Sequence, residues 1–397
     1  MIDLIKFEMA KITKEKIFGG AFLIMLIVVL AVIGATMYGT NLISGTEGER
    51  YAGQETADRN AEIANAYAGD LTDAKIADIL SAYLQSTQEN KRQIAAGEDN
   101  RDNFFAAFPY QIQNTFISDK REFAQQIDAA FEEHQTLSLS DINYYSIEDL
   151  NFYGAKNGTS PVQMGNNLPW SQLLETVGRA FLPLALFLIL ICANLFSMEF
   201  SRNTMPVVAT TKFGPTKMIY AKIITACVIT ISVYLLLQVV IFLSFLYLYG
   251  LSGWQVSIQA NFPWRLFDFP ILLNQVQVLL ISYGVQLAAL LATVGFTSII
   301  AIFAKNPFNS LAIALGVFFA PQLLREFIQN GIVAKFLNLF PINNGDPGTF
   351  FRALASGETF FTDNFLVNIS LLLAFFLLGK LLFDAIICWR MKQLNFS

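Results

Sequence analysis

Long apolar blocks separated by shorter polar stretches set the pattern of the chain. The first block, Ile17 to Tyr38, is about 22 residues long and meets the ~20 needed to cross a ~30 Å hydrocarbon core. It is too long for the apolar core of a cleaved signal peptide, and its exit, TMYGTNLISG, is a poor cleavage site. It therefore reads as a retained span. Later blocks predict a second span at about Leu173–Met198, kinked at Pro183, and a third at about Met218–Tyr249. A fourth lies within Ile271–Ala304, a stretch too long for one straight span, so its start is expected to be an interfacial helix. Lys305-Asn306-Pro307 breaks the chain before a fifth span at Phe308–Phe327, and the sixth is expected at Asn364–Cys388.

The polar stretches carry their own periodicities. In residues 1–16, Ile2, Ile5, Met9 and Ile12 share one helical face, with Lys6, Lys11 and Lys14 mostly elsewhere. This predicts a helix flat on the cytoplasmic membrane surface; the plainer alternative is a positive flank that orients the first span. Residues 41–170 form a hydrophilic insert that reads as helical. Ile63, Tyr67 and Leu71 recur every four residues, as do Ile76, Leu80 and Leu84. Asp119 and Glu122 have capping-box spacing ahead of Phe123, Ile127 and Phe131. Residues 151–170 read as a loop back to the membrane, with Trp170 in the interfacial belt. Within 328–363, IVAKFLNLFPI (332–342) is too short to cross, which predicts a re-entrant or interfacial helix pair, followed by the turn cluster NNGDPG. The expected fold is an all-α polytopic membrane protein. It has an N-terminal interfacial helix (1–16), a first span (17–40), a helical extracellular domain (41–170), and spans two to six with their re-entrant segment (171–397).

Composition agrees. Charged residues make up 14% of the 397, against roughly 25% in soluble domains. The net charge of −5 conceals an asymmetry, because the insert is strongly acidic and the remainder is basic. Lys6, Lys11, Lys14, Lys16, Arg202, Lys212, Lys217, Lys305, Arg390 and Lys392 fall in segments that six spans place on one side. Only Arg265, Lys335 and Arg352 occupy the short opposite ones, so both termini are expected to be cytoplasmic and the insert outside.

No catalytic constellation is visible. The chain contains no P-loop, GxSxG elbow or GxGxxG fingerprint. The single histidine, His134, reads as a solvated surface residue and excludes sites that need two. Cys192, Cys227 and Cys388 lie in or beside apolar blocks, which excludes a disulfide scaffold. No metal site or resident cofactor is expected, and the acidic insert would repel nucleic acid. Within the spans, Lys380 and Asp384 are four apart and are expected to form an intramembrane ion pair. Arg325 and Glu326 close the fifth span as interfacial or outer-gate residues. Asn194, Gln238, Gln275, Gln277 and Gln286 read as interhelical hydrogen-bond partners.

The segment between the second and third spans, MEFSRNTMPVVATTKFGPTKMIYAK (Met198–Lys222), is the most informative. Glu199 leaves the second span, Arg202 follows, and then come Asn203, Thr204, the Pro206–Ala209 turn, Thr210, Thr211, Lys212 and Lys217, with Lys222 entering the third span. This arrangement resembles the permease subunits of type-2 ATP-binding-cassette (ABC) exporters. In their pattern glycine is more usual at the position of Asn203, and asparagine also tolerates the left-handed backbone.

The resemblance covers the layout of the whole chain but only about 25 residues by motif. It implies that 199–217 is a coupling loop docking on a separate cytoplasmic ABC ATPase, with ATP and Mg held there. Glu199 and Arg202, three apart, would offer charge to that partner. It further implies a second permease copy or paralogue in a bacterial cell membrane. The expected cargo is hydrophobic or amphipathic: an antimicrobial peptide, a membrane-active antibiotic or a lipid-like compound. The alternatives are a sodium or other ion-efflux permease, and a non-transporting sensor or scaffold with an extracellular binding domain.

Overall fold

The computed structural model describes residues 1–40, 43–44, 50–51, 53–97, 107–205, 207 and 214–393. Its helices, in chain order, begin with α1 (Ile2–Thr13), α2 (Lys16–Thr40), α3 (Gln54–Ala66), α4 (Asp73–Ala96), α5 (Ala107–Phe116) and α6 (Lys120–Glu132). They continue with α7 (Leu168–Ser201), α8 (Gly214–Tyr249), α9 (Gln275–Ala304), α10 (Pro307–Phe327), α11 (Gly331–Leu337), α12 (Pro347–Leu354) and α13 (Phe365–Gln393). Six of these, α2, α7, α8, α9, α10 and α13, are long and apolar enough to cross a membrane. The chain is thus compatible with a multi-pass membrane protein. Burial differs among them: 78% of the apolar window of α7 is enclosed, against 17% in α2 and 22% in α10 and α13. The last three turn most of their apolar side chains outward, as helices in lipid can and helices in water cannot.

α7 runs from Leu168 to Ser201 with Pro183 in its interior. One expectation about the fourth span needs correction. The fourth span has no separate interfacial helix at its start, because α9 is one uninterrupted helix of 30 residues. Its N-terminus is closed by a reciprocal pair: the Gln277 backbone N–H donates to Asn274 Oδ1 (2.9 Å), and the Asn274 N–H donates to Gln277 Oε1 (3.0 Å). Gln277 is therefore a capping residue and not an interhelical bridge. The predicted break before α10 does form. Lys305 is left-handed (φ 55°), and Asn306 Oδ1 accepts from the N–H groups of Phe308 and Asn309.

The chain forms two compact units. One comprises Met1–Ile33, Leu174–Ile241 and Ile281–Ser397. Its buried polar centre is Gln286 of α9, whose amide nitrogen donates to the carbonyls of Val177 (3.2 Å) and Gly345 (2.7 Å). The Gln286 carbonyl accepts from the Tyr234 hydroxyl (3.2 Å) and the Gln238 amide (3.5 Å). Gln286 and Gln238 are thus the interhelical partners the sequence suggests. Before α13, the segment folds as α11, a 3-10 turn (Pro341–Asn344) and α12, whose N-cap Asp346 accepts from the Thr349 N–H.

The other unit comprises Gly34–Leu173 and Phe242–Leu280. Thr72 caps α4 and Asp119 caps α6, where Asp119 Oδ1 accepts from the Arg121 and Glu122 N–H groups (2.8 and 3.1 Å). Those bonds favour the carboxylate and hold the Asp119 pKa below the usual range. Leu71 departs from its expected helix: α3 stops at Ala66, Gly69 takes a positive φ (111°), and Leu71 enters a short strand, Gly69–Thr72. That strand pairs antiparallel with Thr159–Met164, so part of the expected 151–170 loop is β-structure. Leu71 keeps its place in the core, joined by Ile76, Leu80, Phe116, Phe123 and Ile127. Val256, Ala260 and Phe262, from the stretch between α8 and α9, fill the same core. Residues 41–170 therefore do not pack as a domain on their own.

Candidate functional site

The site is built where α7 ends. The Arg202 N–H donates to the Met198 carbonyl (2.9 Å) and the Thr204 N–H to the Glu199 carbonyl (3.0 Å), while Asn203 turns left-handed at φ 54°. Asparagine fills the glycine role in this C-terminal cap, as its short polar side chain allows. The cap fixes the direction in which Glu199 faces, and that direction is inward.

Glu199 is 5% exposed, so it does not offer its charge to an outside surface. One carboxylate oxygen accepts from Lys11 of α1 and the other from Lys222 of α8. Lys222, 1% exposed, also donates to the Leu195 carbonyl. Glu8, likewise buried, lies 3.7 Å from Lys11. Two acids and two bases alternate, so charges that would each be costly to bury alone are compensated together. Burial pushes the Glu8 pKa up, Lys222 and Lys11 oppose that rise, and the nearby Glu199 adds to it.

This cluster changes the reading of α1. Ile12 is fully buried beside Glu8, and Thr225 Oγ1 of α8 approaches the Ile5 carbonyl at 3.5 Å. The face that was expected to lie on lipid packs at least partly on protein, while Ile2 and Phe7 point outward. Arg202 sits outside the cluster. Its guanidinium donates to Glu15 Oε1 at 3.0 Å, and its side chain stays exposed. Glu199 and Arg202 therefore do not present one charged face. Thr204 and Lys217 are exposed; Thr210, Thr211, Lys212 and most of the Pro206–Ala209 turn lie outside the described residues.

The other candidates are simpler. Lys380 and Asp384 of α13 pair as their spacing implies, with both carboxylate oxygens accepting from the ammonium. Gly295 of α9 lets the Lys380 stem approach closely: a methyl group there would lie 2.9 Å from Lys380 Cδ and 3.2 Å from Phe383 Cδ2. Arg325 is half-buried, with one guanidinium nitrogen enclosed and without a partner, while Glu326 is exposed. His134 is exposed, at φ 57° just beyond α6. The three cysteines are free. Among the described residues, no three His, Cys, Asp or Glu side chains are grouped to hold a metal.

Sequence reasoning found Glu199 and missed its partners. In the sequence Lys11 is a flanking positive charge, Lys222 is the lysine that enters the third span, and nothing marks Glu8 by itself. A faint signal existed, since Glu8, Lys11 and Glu15 recur at helical spacing. No family model, no curated protein and no solved structure matches the chain. The class that sequence and fold define is a helical, multi-pass membrane-type chain with a buried charge cluster beside one interhelical segment.

Proposed function

We propose that the protein is the membrane-spanning subunit of an ATP-driven exporter of the type-2 ABC kind, working with a separate cytoplasmic ATPase. The observation that carries this reading is the Glu8–Lys11–Glu199–Lys222 chain. It ties the last turn of α7 to both α1 and α8, so a push on the segment that leaves α7 reaches two further elements through charges that resist separation. In this reading the segment from 199 to 217 touches the ATPase through Arg202, Lys217 and its middle residues, while Glu199 transmits from behind. ATP and Mg belong to the partner. Both termini are cytoplasmic, the unit built around α3–α6 is extracellular, and α11–α12 lie at the outer interface. A second copy or a paralogue completes the pathway.

A hydrophobic or amphipathic cargo suits spans that carry so few ionisable groups, because ion pathways usually embed several carboxylates. Asp384 is already paired with Lys380. Ion efflux is the weaker reading for that reason.

The test is purification of the tagged chain in mild detergent, with mass spectrometry of retained proteins. A stoichiometric P-loop ATPase, lost with Arg202→Glu while that variant still inserts and folds, supports the proposal. Absence of any ATPase, under conditions that keep other ABC complexes whole, overturns it.

A further inference from the structure

The turn between α8 and α9 gathers four buried side-chain amides. Gln259 and Asn261 belong to it, and both are 0% exposed. Asn167, 1% exposed, donates its Nδ2 to the Ala260 carbonyl at 2.9 Å. Gln275, 0% exposed, donates its Nε2 to the Ser257 carbonyl at 3.5 Å. All four amides are thus part of, or bonded to, residues 257–261.

The orientation of three of them is fixed by what their nitrogens do. Gln259 Nε2 donates to the carbonyls of Phe269 (2.9 Å) and Ile271 (3.0 Å), as Asn167 and Gln275 donate to Ala260 and Ser257. Exchanging nitrogen and oxygen would set carbonyl against carbonyl, so the oxygens must be the other ends. Those oxygens, Asn167 Oδ1, Gln259 Oε1 and Gln275 Oε1, are enclosed and accept no hydrogen bond, and neither end of the Asn261 amide has a partner. Buried polar groups are normally satisfied, and four unsatisfied amide oxygens at one turn are not a packing accident of a single side chain. α9 does not draw on them, since Asn274 and Gln277 close its N-terminus between themselves.

The chemistry such a set selects is positive and undemanding in charge. Neutral carbonyl-type oxygens replace the hydration shell of an alkali ion, whereas calcium sites recruit carboxylates and transition metals recruit imidazole or thiolate. We propose that the 257–261 turn, with Asn167 and Gln275, is a binding site for a dehydrated monovalent cation: sodium, potassium or ammonium. The ion ties the turn to the residue before α7 and to the first residue of α9. This site does not depend on the proposed transport function.

The test is thermal unfolding of the full-length protein in detergent or nanodiscs. Chloride salts of sodium, potassium, ammonium and N-methylglucamine are compared at equal ionic strength. A saturable rise of about 3–5 °C in one or more of the small cations over N-methylglucamine is expected, and the identity of the effective ion separates alkali metal from ammonium. Gln275→Met should abolish the rise. Asn261→Asp, which puts a carboxylate into the set, should lower the half-saturating cation concentration about tenfold or more. Identical unfolding in all four salts overturns the proposal. So does an Asn261→Asp protein that folds with an unchanged cation response.

Discussion

Among the described residues, two largely buried ion arrangements are built in opposite ways. Lys380 and Asp384 sit four residues apart on one helix, and the pair forms wherever α13 forms. Glu199 meets Lys11, 188 positions away, and Lys222, 23 positions away, on two other helices. The first pair reports on local helix geometry and the second on tertiary assembly. A perturbation of the Glu199 cluster should therefore loosen three elements, whereas one at Lys380 should stay within the neighbourhood of α13.

The largest expected effect comes from Lys222→Met. It strands Glu199 and Glu8 with Lys11 alone and should cost about 3–5 kcal/mol, as other broken buried pairs do. Unfolding in mixed detergent measures it, and accessibility of a cysteine placed on α1 should rise in parallel. Lys380→Met should cost less, about 1–3 kcal/mol, because Asp384 keeps some solvent access. α1 accessibility should not change in that variant; if it does, the contrast between the two arrangements fails. Gly295→Ala, which drives a methyl into Lys380 and Phe383, should cost about 1–3 kcal/mol by overpacking.

A smaller effect in the Glu199 cluster is read by pH. Folded Glu8 holds its proton to higher pH than the unfolded chain does. Its contribution to stability therefore falls as pH rises from the ordinary glutamate range through the folded value, and levels off above it. Glu8→Gln should flatten that part of the stability profile. The smallest effect belongs to Arg202→Ala. Its exposed bond to Glu15 should contribute about 0–1 kcal/mol, so any large loss of partner binding in that variant reflects docking and not folding.

The same contrast explains what could be read from the sequence. Spans, caps and i,i+4 pairs are local, and they were legible: Ile17–Tyr38 anticipates α2, Asp119 caps α6, and Lys380 meets Asp384. Leu71 was assigned to a helix because a period of four does not reveal that Gly69 interrupts it. The inward turn of Glu199 depended on partners in segments that composition marks only as basic. The membership of Val256, Ala260 and Phe262 in a core with Leu71 was equally hidden, since nothing in a short aromatic stretch names the surface it will meet.

The charge chain also has a consequence for how the protein is made. α1 is synthesised before α7 and α8, so Lys11 meets Glu199, and Glu199 meets Lys222, only after those later helices have been made. At about 5–20 residues per second, that interval is roughly 10–40 s. For that time α1 lacks the partners on α7 and α8 that complete its charge cluster. Order of synthesis and order of assembly do not coincide here, because α1 settles only once α7 and α8 have been made.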